Sequence, residues 1–154
     1  MYKFDPNNQD HLSIKSWFDI WQIHIQNKDY VSAQKLFKDD VVSFGTWMDV
    51  VEGLDKLCFG QWKNIWPTIT DFKFLTNSLF IQISPDRLFS NSILVWSSLG
   101  YQKGGDSFNR SGRATVVLKK LNLDDSWKGI HTHFSLNRGV PQKSYGVIKE
   151  KSKN

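Results

Sequence analysis

Between Asp10 and about Asn27 the large apolar residues fall three and four apart: Ile14, Trp17, Phe18, Trp21 and Ile25, with Ile20 and His24 on the flank. That spacing predicts an amphipathic helix with one buried face. Asp29 stands where it can cap a second, short helix whose apolar stripe is Tyr30, Ala33, Leu36 and Phe37, ending by Asp39. "VVSFGTW", Val41 to Trp47, is β-branched and aromatic and predicts a short first strand; Gly45 in it marks a bulge or the close approach of another group. "VEGLDKLCFGQWKNIWP" returns to the helical period, with Leu54, Leu57, Cys58, Gln61, Trp62, Ile65 and Trp66 on one face and Pro67 closing it.

After Pro67 the period drops to two. Phe72 and Phe74, then Leu79, Ile81 and Ile83, alternate with polar residues up to a turn at Ser84-Pro85-Asp86. Leu88 to Tyr101, Asn109 to Leu121 and Trp127 to Leu136 follow as strands, with turns at "KGGD" and "NLDDS". Helices first and long neighbouring strands afterwards predict an α+β fold: one curved antiparallel sheet wrapped around three N-terminal helices.

Charge and cysteine content narrow the function classes. The 154-residue chain carries a net charge of +5, much of it near the end, where Lys143, Lys149, Lys151 and Lys153 surround Glu150. Residues 1–142 are expected to form one domain and 143–154 a basic, solvated tail. Elsewhere Lys103, Arg110, Arg113, Lys119 and Lys120 are dispersed over strands and turns, so no stripe suited to nucleic acid emerges. The lone Cys58 rules out an internal disulfide, "MYKFDPNNQDHLSIK" does not read as an export signal, and no apolar run reaches the roughly 18 residues of a membrane helix. The expectation is a cytoplasmic protein with no membrane partner. Seven tryptophans demand either a bulky core or a cavity with wide aromatic walls.

The order of elements, together with "LFKDDVVSFGTW", "VVEGLDKL", "GRATVVLKK" and "SWKGIHTHFS", resembles the SnoaL-like branch of the nuclear transport factor 2-like superfamily, from about Trp17 to Gln142. Within it, Glu52-Gly53-Leu54-Asp55 and the set Trp127, Ile130, His131 and His133 resemble the association domain of calcium/calmodulin-dependent protein kinase II. The resemblance implies a cone-shaped, cystatin-like α+β roll, a pocket between sheet and helices, and a homodimer formed through the outer sheet face. It also places the catalytic positions of ketosteroid isomerases on this chain: the aspartate base near Gly45, the oxyanion-binding tyrosine near Trp21, the acid partner near Ala114 or Thr115. None of the three has the required side chain, so the resemblance carries the fold without that reaction. The pocket arginines of the association domain fall near Ser97, Val117 and Phe134, which are likewise different here.

Trp17 and Trp21, and Trp62 and Trp66, stand four apart on two helices and serve either as core or as cavity wall; Tyr30, Trp47 and Trp96 are the next candidates for the wall. Arg113 shares strand parity with Thr115 and Val117. If Val117 faces the pocket, as the resemblance implies, Arg113 and Thr115 do too, and the guanidinium would favour a carboxylate. Alternation sends His131 and His133 to one face and Ile130, Thr132 and Phe134 to the other. A His-x-His pair needs further ligands to hold a metal, and none has a matching spacing, so neither a metal nor a cofactor is expected. By the resemblance, the two histidines belong to the partner-facing surface while Thr132 and Phe134 look into the cone. The leading expectation is a pocket for a small hydrophobic or acidic molecule. An assembly module using the outer face, and an enzyme acting on a hydrophobic ring substrate with His24 or Asp49 as base, are the alternatives.

Overall fold

A computed structural model describes residues 1–148 and shows seven strands in one sheet, in the order β1-β4-β5-β6-β7-β2-β3. Helix α1 (Gln9–Asn27) begins at Asn8, whose side chain accepts from the backbone N–H groups of Asp10 and His11, and ends at Lys28 in the left-handed conformation. Its buried face is Ile14, Trp17, Phe18, Trp21 and Ile25, as the spacing predicts, with His11 one turn earlier. Asp29 caps α2 (Tyr30–Gln34) by accepting from Ser32 N. This helix is shorter than the pattern suggests. Phe37 is buried, yet it opens strand β2 (Phe37–Phe44) and pairs with Gly129, a tertiary partner that local spacing cannot reveal.

Beyond β3 (Val51–Glu52), the third helical region is not one regular helix. It runs through α3 (Leu54–Lys56), a π-helical turn at Leu57–Trp62, α4 (Lys63–Ile65) and a 3-10 turn at Trp66–Thr68. The wider turn is supported by Asn64, whose Nδ2 donates to Gly60 O (2.8 Å) and Phe59 O (3.3 Å). Leu57, Cys58, Gln61 and Trp62 remain buried on one side.

The sheet continues with β4 (Thr70–Ile83), β5 (Phe89–Tyr101), β6 (Ser107–Lys119) and β7 (Lys128–Leu136), each antiparallel to its neighbour; β1 (Tyr2–Lys3) adds an edge beside β4. The expected wholly antiparallel sheet is corrected at one seam, where β2 lies parallel to β7. Two irregularities reset the alternation. Between Leu75 and Phe80, β4 advances five residues while β5 moves only from Val95 to Ile93, so Phe72 and Phe74 are buried before it and Leu79 and Ile81 around and after it. Ser78 bridges this bulge, accepting from Val95 N and donating to Leu75 O. In β7, Val117 pairs with His131 but Leu118 with Gly129, leaving Ile130 as the extra residue. Ile130 therefore lies beside Lys119 and Leu121 at the surface, not with Thr132 and Phe134.

The core gathers Ile14, Phe18, Trp21, Val41, Leu79, Ile81, Trp96, Val116 and Leu118 between the helices and one sheet face. The chain past β7 also packs on it. Ser144 is 7 % exposed, donates to Thr68 O and accepts from Tyr101 N (2.9 Å), so the fold extends across the expected boundary at residue 142. Lys149, Glu150, Lys151 and Lys153 of the expected basic tail lie outside the described residues. Among the described residues, no helix is long and apolar enough to cross a membrane.

Candidate functional site

A cavity of about 50 Å³ lies between α1, the π-helical turn and the inner face of β5, β6 and β7. Its walls are aromatic. Trp62 and Trp66 stack with centroids 4.9 Å apart at 16°, and Trp21 meets Phe134 edge-on at 5.6 Å. Trp96 lies 5.9 Å from both Phe72 and Phe134. Of the wall residues expected from the sequence, Trp21, Trp62, Trp66, Trp96, Thr132 and Phe134 line this space. Three others do not. Trp17 packs into the core against Trp21 and Phe37 and donates from Nε1 to Leu36 O (3.3 Å). Tyr30 lies behind the wall, stacked on Trp66 at 5.1 Å, and Trp47 is 45 % exposed on the loop after β2.

Arg113 and Thr115 are also corrected. Residues of β6 that point inward are Arg110, Gly112, Ala114, Val116 and Leu118; Arg113 is exposed and donates to Leu136 O (3.3 Å). Register fixes this parity. Gly112 sits opposite Trp96, and a Cβ there would fall 1.9 Å from Ser135 O and 2.6 Å from the Trp96 ring, so the large indole occupies the space glycine leaves. The guanidinium that enters the cavity is that of Arg110, which the sequence reading passed over as one of several dispersed cations. Its signal was present: it opens the small and apolar even-numbered series of β6.

Arg110 is 1 % exposed. One terminal nitrogen donates to Thr46 Oγ1 (3.1 Å), and the guanidinium carbon stands 5.6 Å from the Trp96 ring centre. No carboxylate among the described residues forms an ion pair with it. Burial lowers its pKa to about 10, which still leaves it charged at neutral pH. Its Nε is buried without a hydrogen-bond partner among the described residues, as are Trp21 Nε1 and Trp96 Nε1. Thus three unpaired N–H donors belong to residues that line one cavity.

The remaining polar groups hold one another. Ser43 Oγ donates to Thr132 O (3.2 Å) and closes on the Thr132 hydroxyl. Gln61 Oε1 accepts from Trp47 N (3.2 Å) and Met48 N (2.8 Å). Gly45 is where that amide approaches the backbone: a Cβ there would be 2.4 Å from Gln61 Cδ. The position that the family resemblance gives to a catalytic aspartate is therefore filled by a glutamine amide from another element.

Among the described residues, no histidine, aspartate or glutamate lines the cavity. His24 is near the end of α1, with Nδ1 3.9 Å from an Asp29 oxygen, and Asp49 is exposed on the loop, so neither candidate base reaches the site. His131 and His133 lie on the sheet's other face, edge-on to Phe44 at 5.1 and 5.3 Å. His131 Nδ1 donates to Val42 O (2.9 Å), which orients the ring on that face. Among the described residues, no three of His, Cys, Asp and Glu gather as metal ligands.

No protein-family model matches the sequence, and no curated protein matches it in sequence. Solved structures do match the fold. A putative calcium/calmodulin-dependent protein kinase II association domain from Xanthomonas campestris aligns with a TM-score of 0.72 at 19 % identity, covering 91 % of this chain and 99 % of that one. A nuclear transport factor 2-like superfamily protein from Salmonella enterica gives 0.68 at 14 %, covering 92 % and 93 %. A ketosteroid isomerase-like protein from Erwinia carotovora gives 0.67 at 15 %, covering 84 % and 97 %. The curved sheet and its helices are thus the cystatin-like α+β fold that these proteins share, as the sequence motifs led one to expect.

Proposed function

We propose that the cone is a binding cavity for a small, partly apolar carboxylic acid, with Arg110 as its anchor. The observation that carries this reading is a fully buried guanidinium with one hydroxyl partner and no counter-charge. Burying an ion without a partner is costly, and such a group persists where it recognises an opposite charge. A carboxylate accepts two N–H bonds from a guanidinium, and the indole N–H groups of Trp21 and Trp96 are further donors aimed at acceptors rather than at a proton to be moved. The aromatic walls suit the apolar part of such a ligand. At about 50 Å³ the cavity fits an acid of a few heavy atoms; a ring acid requires a wall to move.

Calorimetric titration with acetate and benzoate, against neutral benzamide, tests the proposal. Acids that bind while benzamide does not, with binding lost in Arg110→Met, support it. Equal weak binding of all three, or an unchanged affinity in Arg110→Met, refutes it.

A second reading has its own observation. Val42, Phe44, Phe89 and Ile93 are between 36 % and 44 % exposed, with His131 and His133 beside Phe44. These residues favour a homodimer joined through the outer sheet face, in keeping with the association domains that share the fold; we propose separately that the protein is cytoplasmic, as its composition led one to expect. Sedimentation equilibrium of the wild type and Phe44→Glu tests it: a dimer that becomes a monomer supports the reading, and a monomeric wild type at micromolar concentration removes it.

A further inference from the structure

The cavity is closed on one side by chain without regular structure, while its other walls are strands and helical turns with internal backbone bonds. One segment reaches the cavity wall, and a second lies over the first at Thr46 without itself lining the cavity. The first is the loop of residues 45–50, which carries Thr46 to the cavity and leaves Trp47 and Val50 exposed outside it. The second is the segment after β7. It leaves the sheet at Asn137, whose N–H donates to Ser111 O (2.9 Å), passes Thr46 at Gln142, and is fastened by Ser144 to Thr68 and Tyr101.

We infer that the loop 45–50 and the segment 137–146 are the gate of the cavity, latched from within by Gln61 and Arg110 and from without by Gln142 and Ser144. The inner latch is the pair of bonds from Trp47 N and Met48 N to Gln61 Oε1, together with the bond from Arg110 to Thr46 Oγ1. The outer latch is the bond from Gln142 Nε2 to Thr46 O (3.5 Å), backed by Ser144. Thr46 takes part in both, one through its side chain and the other through its carbonyl. The segment 137–146 is held mainly by a few polar bonds, with Tyr145, Val147 and Ile148 about half exposed at and just past its end, and loses little apolar burial when it lifts away; the loop also seats Met48 against the core beside Gly60, a contact that must slide or break for it to open.

The gate also explains how a cavity of this size admits a ring. Taking the cavity as a carboxylate site, as proposed above, the entering anion competes with Thr46 for the Arg110 guanidinium. Occupying the anchor then removes one inner latch, so loop opening and ligand capture are coupled through a single side chain.

Backbone hydrogen exchange of the whole chain tests the gate without any ligand. In Gln142→Ala and in Ser144→Ala, the Trp47 and Met48 amides should exchange roughly threefold to tenfold faster per lost bond, while those of β5 and β6 stay as in the wild type. Gln142 is at the surface, so its variant probes the latch even if the buried Ser144 change disturbs the fold. Unchanged exchange at Trp47 and Met48 in the folded Gln142→Ala protein overturns the inference. Stopped-flow tryptophan fluorescence with benzoate is the second arm: association and dissociation should both accelerate in Gln142→Ala, with Kd within about twofold of wild type. Association and dissociation rates unchanged from wild type in Gln142→Ala also overturn the gate. If benzoate binds no form of the protein, the ligand reading fails, and the exchange result still decides the gate.

Discussion

Replacing Arg110 by Met should make the protein more stable and unable to bind acids. The drop in pKa to about 10 corresponds to roughly 3 kcal/mol of cost for holding the charge inside. Against this stand one hydrogen bond to Thr46, worth about 1 kcal/mol net, and the contact with the Trp96 face, worth about 1 kcal/mol. A methionine fills much of the same space without a charge, so the variant should gain about 1 kcal/mol, or about 2–4 °C in Tm. Urea unfolding and differential scanning calorimetry measure it. The pH dependence has a definite sign. The folded form of Arg110 releases its proton before the unfolded form does, so wild-type stability rises relative to the variant as the pH climbs past about 10, closing the gap. Arg110→Met unfolding more readily than wild type at neutral pH, by 1 kcal/mol or more, would show that the guanidinium is a structural strut and refute the reasoning.

Gly45→Ala should displace the Gln61 amide, break its bonds to Trp47 N and Met48 N, and cost about 1–3 kcal/mol in urea unfolding; a silent substitution would mean that the close packing is not rigid. The Arg87 guanidinium, bonded to Asp10 at 2.6 Å, holds that carboxyl below its ordinary value of 3.8. The stability from this pair is present above that value and lost as pH falls through the lower folded pKa, so Arg87→Ala should be weaker than wild type at pH 7 and equal to it at pH 2. Burial pushes the Cys58 thiol up and shields it, so labelling by a thiol reagent should proceed at the rate of unfolding; rapid labelling of the folded protein would contradict this burial.

The first helix was legible because its buried face repeats every three or four residues, and the start of the second because Asp29 supplies a local cap. The strands β5 and β6 were legible because each alternates without interruption. What the sequence concealed was non-local. The parallel seam of β2 with β7, the strand role of Phe37 and the π-helical turn depend on partners distant along the chain or on one extra residue in a turn. The same limit governs the site. Periodicity put Trp21, Trp62 and Trp66 on buried faces and gave Thr132 and Phe134 a common side, and the family resemblance supplied which side looks inward, whereas the choice between Arg110 and Arg113 depended on absolute strand parity. That parity became visible only when Gly112 was seen opposite Trp96.

The seam between β2 and β7 also orders events in time. Ser43 and Thr132, which meet across it, are separated by 89 positions, and Phe37 waits for Gly129. The meander of β4, β5 and β6 forms from neighbouring segments, but this join requires closing more than half of the chain into a loop, a slow step of high contact order. During synthesis, Trp21, Phe37 and the Ser43 strand must remain unsealed until the seventh strand emerges. The cavity is therefore assembled last, and until then the aromatic residues that will line it are the chain's most exposed liability to misassembly.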